Sequence, residues 1–591
     1  MISSEQVFKR YFPKLAKNTL RHKLITSMCH KLLHETEFVN FSNRYPSLSG
    51  FDLIEKTLEY FDFSFATIDK QIERIPTTGR VVIIANHPIG TLDGLALLHL
   101  VRKLRSDVKV VANELLMEIK PLHDVLLPVN NMSGNTRKED LLNIQHFLSS
   151  DGALIIFPAG EVSRFTATGI KDCPWHKGFL KIAARAKAPI LPIHIKARNS
   201  WVFYASSFFY KPLASLLLVS EMFKHNEQSI KISIGKLIPF ESYGKSKLSS
   251  KVKANLLQKE VYRVEKGKKS YFKTESVIAH PVARVELKQA IEKCTLLGNT
   301  SDGKSIYLLE KPDHGVILKE LGRCREVTFR AVGEGTGEKR DLDKYDMEYT
   351  HLILWDKNDL EIVGAYRFAP TTGLIAKQIT ITQTVLNQNI KGLYSNELFK
   401  YKPDMRPYFD RGIELGRSFV QPRYWGKRSL EYLWQGIGAY LAMNPNIRYL
   451  FGPVSLSATL PKKAHAFLVY FYQLYFPAQG DLACAKNGYL ISEELDHDLL
   501  NYFSGDDYAK DFMKLKAMLS NMGVSVPTLY KQYTELCHEG GVQFIDFNID
   551  PDFNYCIDGL VVVDLSFLKE KKQNRYIDIH LDNDATYEVQ V

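Results

Sequence analysis

Val81-Val82-Ile83-Ile84-Ala85-Asn86-His87-Pro88-Ile89-Gly90-Thr91-Leu92-Asp93, running on into GLALLHLVRKLR (94–105), decides the fold. Its first five residues are apolar without a polar alternate, and four of them are β-branched. That pattern marks a strand buried on both faces. A short loop with Pro88 and Gly90 follows, then a leucine-rich helix whose last turns carry Arg102, Lys103 and Arg105, the charges a helix carboxyl end favours. Similar buried runs appear at VKVVAN (108–113), ALIIFPAG (153–160) and PILPIHI (189–195), with a further helical segment at RKEDLLNIQHFLSS (137–150). Short buried strands alternating with helices predict a largely parallel or mixed sheet covered on both faces.

The loop after the first strand stands where α/β sheets put their ligand sites. His87 can accept a hydroxyl proton near neutral pH, and Asp93 can hold the imidazole in the required tautomer. Such a dyad suits direct attack of an alcohol on a thioester, with no covalent enzyme intermediate. A polar loop with a helix-capping aspartate has the same letters. Phe157-Pro158-Ala159-Gly160-Glu161-Val162-Ser163-Arg164 follows another strand and brings Glu161 and Arg164 to the same sheet end. The guanidinium of Arg164 is a planar fork for phosphate or carboxylate.

The pattern restarts in the second half. A helix is predicted over 284–297. HLILWD and EIVGAYRF, joined by KNDL, predict a hairpin over 351–368. GIELGRSFV (412–420) is a strand, followed by the turn QPRYWGK, a helix over 428–442 and a strand over 447–455. Domains are expected at 60–265 and 281–591, after a basic helical region (1–59) and across a linker (266–280). The fold class expected is two-domain α/β, the second domain being α+β with a carboxyl-terminal extension.

Composition agrees. Of the 591 residues 45% are hydrophobic and 24% charged, which excludes a disordered, collagen-like or coiled-coil chain. Seven scattered cysteines without a C-x-x-C pair argue against a disulfide scaffold, and no metal site is expected. The net charge of +11 divides unevenly: residues 1–270 hold 40 Lys and Arg against 24 Asp and Glu, the remainder 37 against 42. The basic half suits nucleic acid or an anionic membrane. No nucleic-acid-binding module accompanies it, so no nucleic-acid partner is expected. Lys9, Arg10, Lys14 and Lys17 stand where a secretory signal needs its apolar run. The stretch 201–223 is the most lipid-like, but Lys211 and Pro212 spoil it as a spanning helix; it reads either as an interfacial segment or as a buried helical hairpin. The expected location is the cytoplasm, peripheral on the inner face of the cytoplasmic membrane.

His87 with Asp93, and Phe157 to Gly160 with the polar residues after them, resemble the glycerolipid acyltransferase superfamily over about 60–240. Two departures stand out. Five residues rather than four separate His87 from Asp93, and Ala159 occupies the place of the family's glutamate, with Glu161 two positions later. The resemblance implies acyl transfer from acyl-CoA or acyl carrier protein to a lipid hydroxyl at the membrane face.

The second half carries Arg325 and Phe329, a glycine cluster at 333–337, Asp343 and Asp346, Arg367 on the hairpin, then Glu414 and Arg417. Each charge taken alone reads equally as a salt-bridge partner, and the glycine cluster as a simple loop. Glu414 and Arg417, three apart on a strand, face opposite sides unless a bulge intervenes. In this order the residues resemble the acyl-homoserine-lactone synthases, a GNAT-like group, and ELGRSFVQPRYWGKRSLEYLWQGIGAYL (414–441) resembles the ornithine N-acyltransferases. The resemblance implies amine attack on an acyl thioester. Glu414 would be base or amine orienter, Arg325, Arg367 and Arg417 would tie the site together or hold the amino acid carboxylate, and phosphopantetheine would lie along 418–427. It implies no tightly bound cofactor. Acyl-acyl carrier protein or acyl-CoA is the co-substrate.

The two halves together resemble the bifunctional ornithine-lipid synthases of bacteria. They imply N-acylation of an amino acid, ornithine by the resemblance, with a 3-hydroxyacyl group, then O-acylation of the lyso-lipid. Two other readings stand beside this one: a 1-acylglycerol-3-phosphate acyltransferase with an accessory second half, and a non-catalytic lipid- or nucleic-acid-binding protein.

Overall fold

The computed structural model of the chain describes residue 30 and residues 33–581, except 113–115, 130–137, 167–168, 210, 311, 314, 373, 375–391, 493–498, 500–501 and the side chains of 207–216. The basic positions from Lys9 to Lys31 lie outside the described residues. The chain forms two compact units, Met1–Val277 and Ile278–Val591.

The first unit begins with helices α1 (Glu35–Arg44) and α2 (Gly50–Tyr60). Its sheet comprises β1 (Ser64–Ala66), β2 (Val81–Ala85), β3 (Val108–Ala112), β4 (Leu126–Pro128) and β5 (Ala153–Ile156). After the small hairpin β6 (Arg164–Thr166) and β7 (Gly169–Lys171), β8 (Ile190–Lys196) and β9 (Ser229–Ile234) complete it, in the order β1-β9-β8-β2-β5-β3-β4. All neighbours run parallel except β8 and β9. The helices are α3 (Thr91–Arg102), α4 (Lys138–Ser149), α5 (Gly178–Arg185), α6 (Trp201–Phe209), α7 (Lys211–Lys224) and α8 (Ser250–Val264). Alternate residues of β2 serve opposite cores: Val81, Ile83 and Ala85 pack with α3, while Val82 and Ile84 pack with α4, α5 and α8. This two-sided burial is why the strand is apolar throughout.

The lipid-like stretch is two helices, α6 and α7, and among the described residues no helix is long and apolar enough to cross a membrane.

The second unit is an eight-stranded sheet. Its strands are β10 (Thr295–Asn299), β11 (Ser305–Leu309), β12 (Thr350–Asp356), β13 (Glu361–Pro370), β15 (Gly412–Val420), β16 (Tyr449–Leu456), β18 (Val542–Asp550) and β19 (Cys556–Asp564), ordered β10-β11-β12-β13-β15-β16-β19-β18. A separate pair, β14 (Phe399–Tyr401) with β17 (Ala483–Ala485), lies outside it. The predicted helix over 284–297 is shorter: α9 (Arg284–Ile291) stops at Ile291, and Thr295–Asn299 instead forms a hairpin with β11. Helical spacing persists through Leu297, but pairing around the Asp302-Gly303 turn overrides it.

Helix α10 (Val316–Ala331) covers one face of this sheet; α11 (Ser429–Met443) and α12 (Lys462–Tyr475) cover the other. Tyr366 and Phe368 point into the core under α11 and α12. Arg367 between them therefore points to the α10 face.

Among the described residues the only parallel pair in this sheet is β15 with β16, and it is joined over Gly412–Glu414 and Tyr449–Phe451 alone. Beyond that point the two strands part, up to Val420 and Leu456. Gly452 marks the apex: a Cβ there would meet the Leu415 carbonyl oxygen at 2.0 Å.

Candidate active sites

In the first unit, Asn86 extends the strand ladder with its side chain, accepting from the Ile195 N–H and donating to the Ile195 carbonyl, both at 2.8 Å. The loop thus leaves the sheet edge from a fixed point. Gly90, at φ 106°, turns it into α3, a conformation that disfavours any side chain. This glycine takes up the extra residue between His87 and Asp93. Fully buried Asp93 accepts from the Ile89 and Gly90 N–H groups through Oδ2, at 2.9 and 3.3 Å. Its Oδ1 stands 2.9 Å from His87 Nδ1, close but not aligned for a linear hydrogen bond. The two oxygens of Asp93 are thus divided, Oδ2 facing the loop N–H groups at the start of α3 and Oδ1 facing His87.

The His87 ring stacks on Phe157, centroids 4.2 Å apart. With Nδ1 turned to Asp93, Nε2 is the nitrogen left for a substrate hydroxyl. Burial disfavours the imidazolium, but the Asp93 carboxylate and then that of Asp172 outweigh it and raise His87 above histidine's ordinary value.

Glu161 and Arg164 lie in the adjacent turn, Arg164 donating to Glu161 at 3.2 Å while its guanidinium lies over the Phe203 ring. Its Nε and Nη1 are buried without a hydrogen-bond partner. Beside it Phe165, Trp201 and Val202 are exposed by 59%, 69% and 63%.

In the second unit, all seven sequence-nominated residues gather on the α10 side of the sheet. Arg325, from α10, donates to Asp346 at 2.6 Å and to His351 Nδ1 at 3.2 Å. Because Nδ1 accepts, His351 carries its hydrogen on Nε2 and donates it to the Asp346 carbonyl at 2.8 Å. Burial, reinforced by Arg325, keeps this ring neutral, its pKa lowered to about 3. Burial pushes Asp346 up, but Arg325 and Arg367 outweigh it and hold the carboxyl far below the usual range. Arg367, fully buried, reaches Asp343 at 2.6 Å and Asp346 at 3.0 Å. Asp343 also caps the short turn that carries Asp346. Phe329 packs edge-on against Phe553, centroids 5.1 Å apart.

The bulge that Glu414 and Arg417 require is present: the β13–β15 register shifts between Ala365 and Arg367, and Arg417 has φ 46°. Arg417 thereby turns to the same face as Glu414. It lies 3.3 Å from Asp341 and 3.4 Å from Asp343, and over the rings of Tyr394 and Phe553. Glu414, 2% exposed, accepts from the Tyr349 hydroxyl and from the N–H groups of Tyr394 (3.1 Å) and Ser395 (2.7 Å). Burial raises its pKa.

The glycine cluster is a loop wrapped on Glu326, whose carboxylate takes the N–H groups of Thr336 and Gly337. Those groups are spent on protein rather than on a phosphate.

Sequence reading missed several groups. Asp172 and Ser163 support His87. Asp341 and Tyr394 hold Arg417. Three further carboxyls, half-buried Glu334 and buried Asp550 and Asp558, feel the Arg417 charge. Burial pushes Glu334 up to about 7; burial, with Asp550 and Glu334 beside it, pushes Asp558 up to about 8. The last two acids sit on β18 and β19, 130 residues and more beyond Glu414, with no local motif to mark them.

The acyltransferase family matches residues 8–279, and the acetyltransferase (GNAT) domain family matches 324–435. A lyso-glycine lipid O-acyltransferase of Bacteroides thetaiotaomicron is 32% identical over 254 residues, 42% of this chain and 92% of that protein. A glycine N(alpha)-acyltransferase of the same organism is 27% identical over 318 residues, 52% of this chain and 91% of that protein. An L-ornithine N(alpha)-acyltransferase of Brucella abortus is 28% identical over 226 residues, 35% and 71% of the two chains.

Proposed function

The chain belongs to the acyltransferase family of the lyso-glycine lipid O-acyltransferases, here followed by a GNAT domain, and we propose that it performs both acylations of an amino-acid lipid. The observation that supports this most is the presence of both sites in one chain: a histidine–aspartate dyad at a strand end, and a carboxylate–guanidinium network at a splayed parallel strand pair.

In the second unit an amino acid binds with its α-amine among the buried carboxyls and its carboxylate on the guanidinium side. The acyl thioester lies in the opening between β15 and β16, where unpaired backbone groups polarise its carbonyl. The neutral amine attacks, the ammonium proton passes to a carboxylate or water, and the thiolate leaves and is protonated. Glu414, whose three donors all come from the protein, orients the site rather than serving as the free base.

In the first unit the 3-hydroxyl of the new acyl chain gives its proton to His87 Nε2 as its oxygen attacks a second thioester. The thiolate then leaves with that proton. The open edge of Arg164 takes the acceptor's carboxylate. Phe165, Trp201 and Val202 rest in the acyl region of the inner membrane face, where this single-tailed intermediate is held. The donor is an acyl carrier protein, an acidic partner that the basic half steers.

Glycine is the amino acid, on the breadth of the glycine N-acyltransferase match. Ornithine is the second reading, favoured by Glu334, Asp550 and Asp558, which suit an additional ammonium group. Lipid mass spectrometry of a bacterium without aminolipids, expressing the chain, tests all of this. A diacylated amino-acid lipid is expected from the wild type, the monoacyl amide from His87→Ala, and neither from Arg367→Met. The mass names the amino acid. A change confined to phosphatidic acid would sink the reading.

A further inference from the structure

Asp172 is a buried carboxylate that the mechanism above leaves unused, and it stands at a junction of three chain segments. One oxygen accepts from the Ser163 hydroxyl at 2.6 Å and from the backbone N–H of His87 at 3.3 Å. The other accepts from Trp175 Nε1 at 3.0 Å. Ser163 returns the link, its own N–H donating to the His87 carbonyl at 2.7 Å. From behind, the Asp172 N–H donates to the Tyr262 hydroxyl of α8 at 2.9 Å, and Gln258 of the same helix donates to the Asp172 carbonyl at 3.2 Å.

The consequence is geometric. His87 is pinned on both its backbone N–H and its C=O, and the segment that pins it also ends in Arg164. Asp93 fixes the imidazole from the helix side; Asp172 fixes the backbone beneath it. A loop carrying a proton acceptor must hold it to within a fraction of an ångström of the reacting oxygen, and Gly90 alone does not supply that rigidity.

We propose that Asp172 is a positioning residue for the O-acyl transfer, locking the His87 backbone to the Ser163–Arg164 turn so that proton acceptor and anion fork keep one register. This rests on the reading of the first unit as the O-acyltransferase. The carboxylate has a second effect through its charge, since it stands with Asp93 in favouring the His87 imidazolium. The charged and titratable groups facing this junction are Asp93 on α3 and Tyr262 on α8, with Lys171 over the Tyr262 ring, His194 at its edge and Glu265 beside His194. Asp93 touches His87, and Tyr262 touches Asp172.

The test uses the full chain with N-(3-hydroxypalmitoyl)glycine and palmitoyl-acyl carrier protein for O-acylation, and glycine with 3-hydroxypalmitoyl-acyl carrier protein for N-acylation as an internal control. Asp172→Asn is expected to lower kcat for O-acylation on the order of tenfold, as supporting residues of a site typically do, with KM for the donor and the N-acylation rate unchanged. The acid limb of its pH profile should move down, because one of two charges favouring imidazolium is gone. Ser163→Ala, which keeps the charge, should lower kcat several-fold and leave the limb in place; it also stands alone if Asp172→Asn does not fold. Unchanged kcat and limb in Asp172→Asn, or unchanged kcat in Ser163→Ala, overturns the proposal. A wild type inert toward this acceptor, with N-acylation intact, overturns the reading of the site instead.

Discussion

The two sites of this chain place their charges in opposite ways. In the first, a dyad six residues apart in sequence sits on a loop, with His87 21% exposed and only Asp93 buried. In the second, Arg325, Arg367 and Arg417 and the acids around them come from positions 325 to 558 and are largely taken out of water. A local dyad draws its geometry from one loop and lends little to stability. A dispersed buried network is part of the core, because each charge removed strands another in low dielectric. Function and stability should therefore separate in the first unit and coincide in the second.

The largest effects test that contrast directly. His87→Ala should cut O-acylation by about two to four powers of ten, the usual range for a general base. N-acylation and thermal unfolding should hardly move. Arg367→Met takes one of two guanidinium partners from each of Asp343 and Asp346, which keep Arg417 and Arg325, a loss of about 1.5–3 kcal/mol. N-acylation and the unfolding transition of the second unit should fall together, in calorimetry and activity alike. An Arg367→Met chain of wild-type stability that has lost only turnover would erase the distinction.

A smaller effect separates the sites by pH. With neutral His87 as the proposed proton acceptor and its pKa above the ordinary value, the rate of O-acylation should fall as pH drops through that raised value. Asp93→Asn should shift this limb downward. In the second unit the pH effect acts on stability. Glu334, at about 7, and Asp558, at about 8, bind protons in the folded state that they release near pH 4 when unfolded. The folded state thus holds more protons between about pH 4 and 8, and stability falls as pH rises through that window. Unfolding midpoints of the second unit should decline by several degrees from pH 5 to 9, and Glu334→Gln with Asp558→Asn should flatten the slope. A rising midpoint would contradict the burial of these acids.

Legibility in the sequence follows the same division. The strand over 81–85, its loop and its helix were readable because burial on two faces, a loop glycine and helical spacing are all local signals. The hairpin 351–368 and the strand 412–420 were readable for the same reason, whereas the Glu-x-x-Arg spacing put the two side chains on opposite faces unless a bulge intervened, and only the structure shows that bulge. Where local spacing competed with a partner strand, as at 295–299, pairing won. Asp172 carries no readable signal because the β6–β7 hairpin is what brings Ser163 and the His87 loop to it. Asp550 and Asp558 were passed over because strand register alone brings them to the site: Asp558 lies opposite Ser455, which bonds Glu334. Such a juxtaposition leaves no spacing to read.

The smallest effect concerns the glycine cluster, where a phosphate loop and a structural loop share one sequence. Gly335 has φ 101°, and a Cβ there would sit 3.3 Å from atoms of Arg330. Gly335→Ala is therefore strained and should cost about 1–3 kcal/mol, as for residues forced into such backbone conformations. The loop's N–H groups at 336 and 337 already donate to Glu326, so a donor's phosphates have nothing to gain from them. The expected result is a lowered unfolding midpoint with KM for the acyl donor unchanged. A selective rise in that KM at full stability would instead make the loop part of the donor site, and the second unit would then hold a local, separable element like the first.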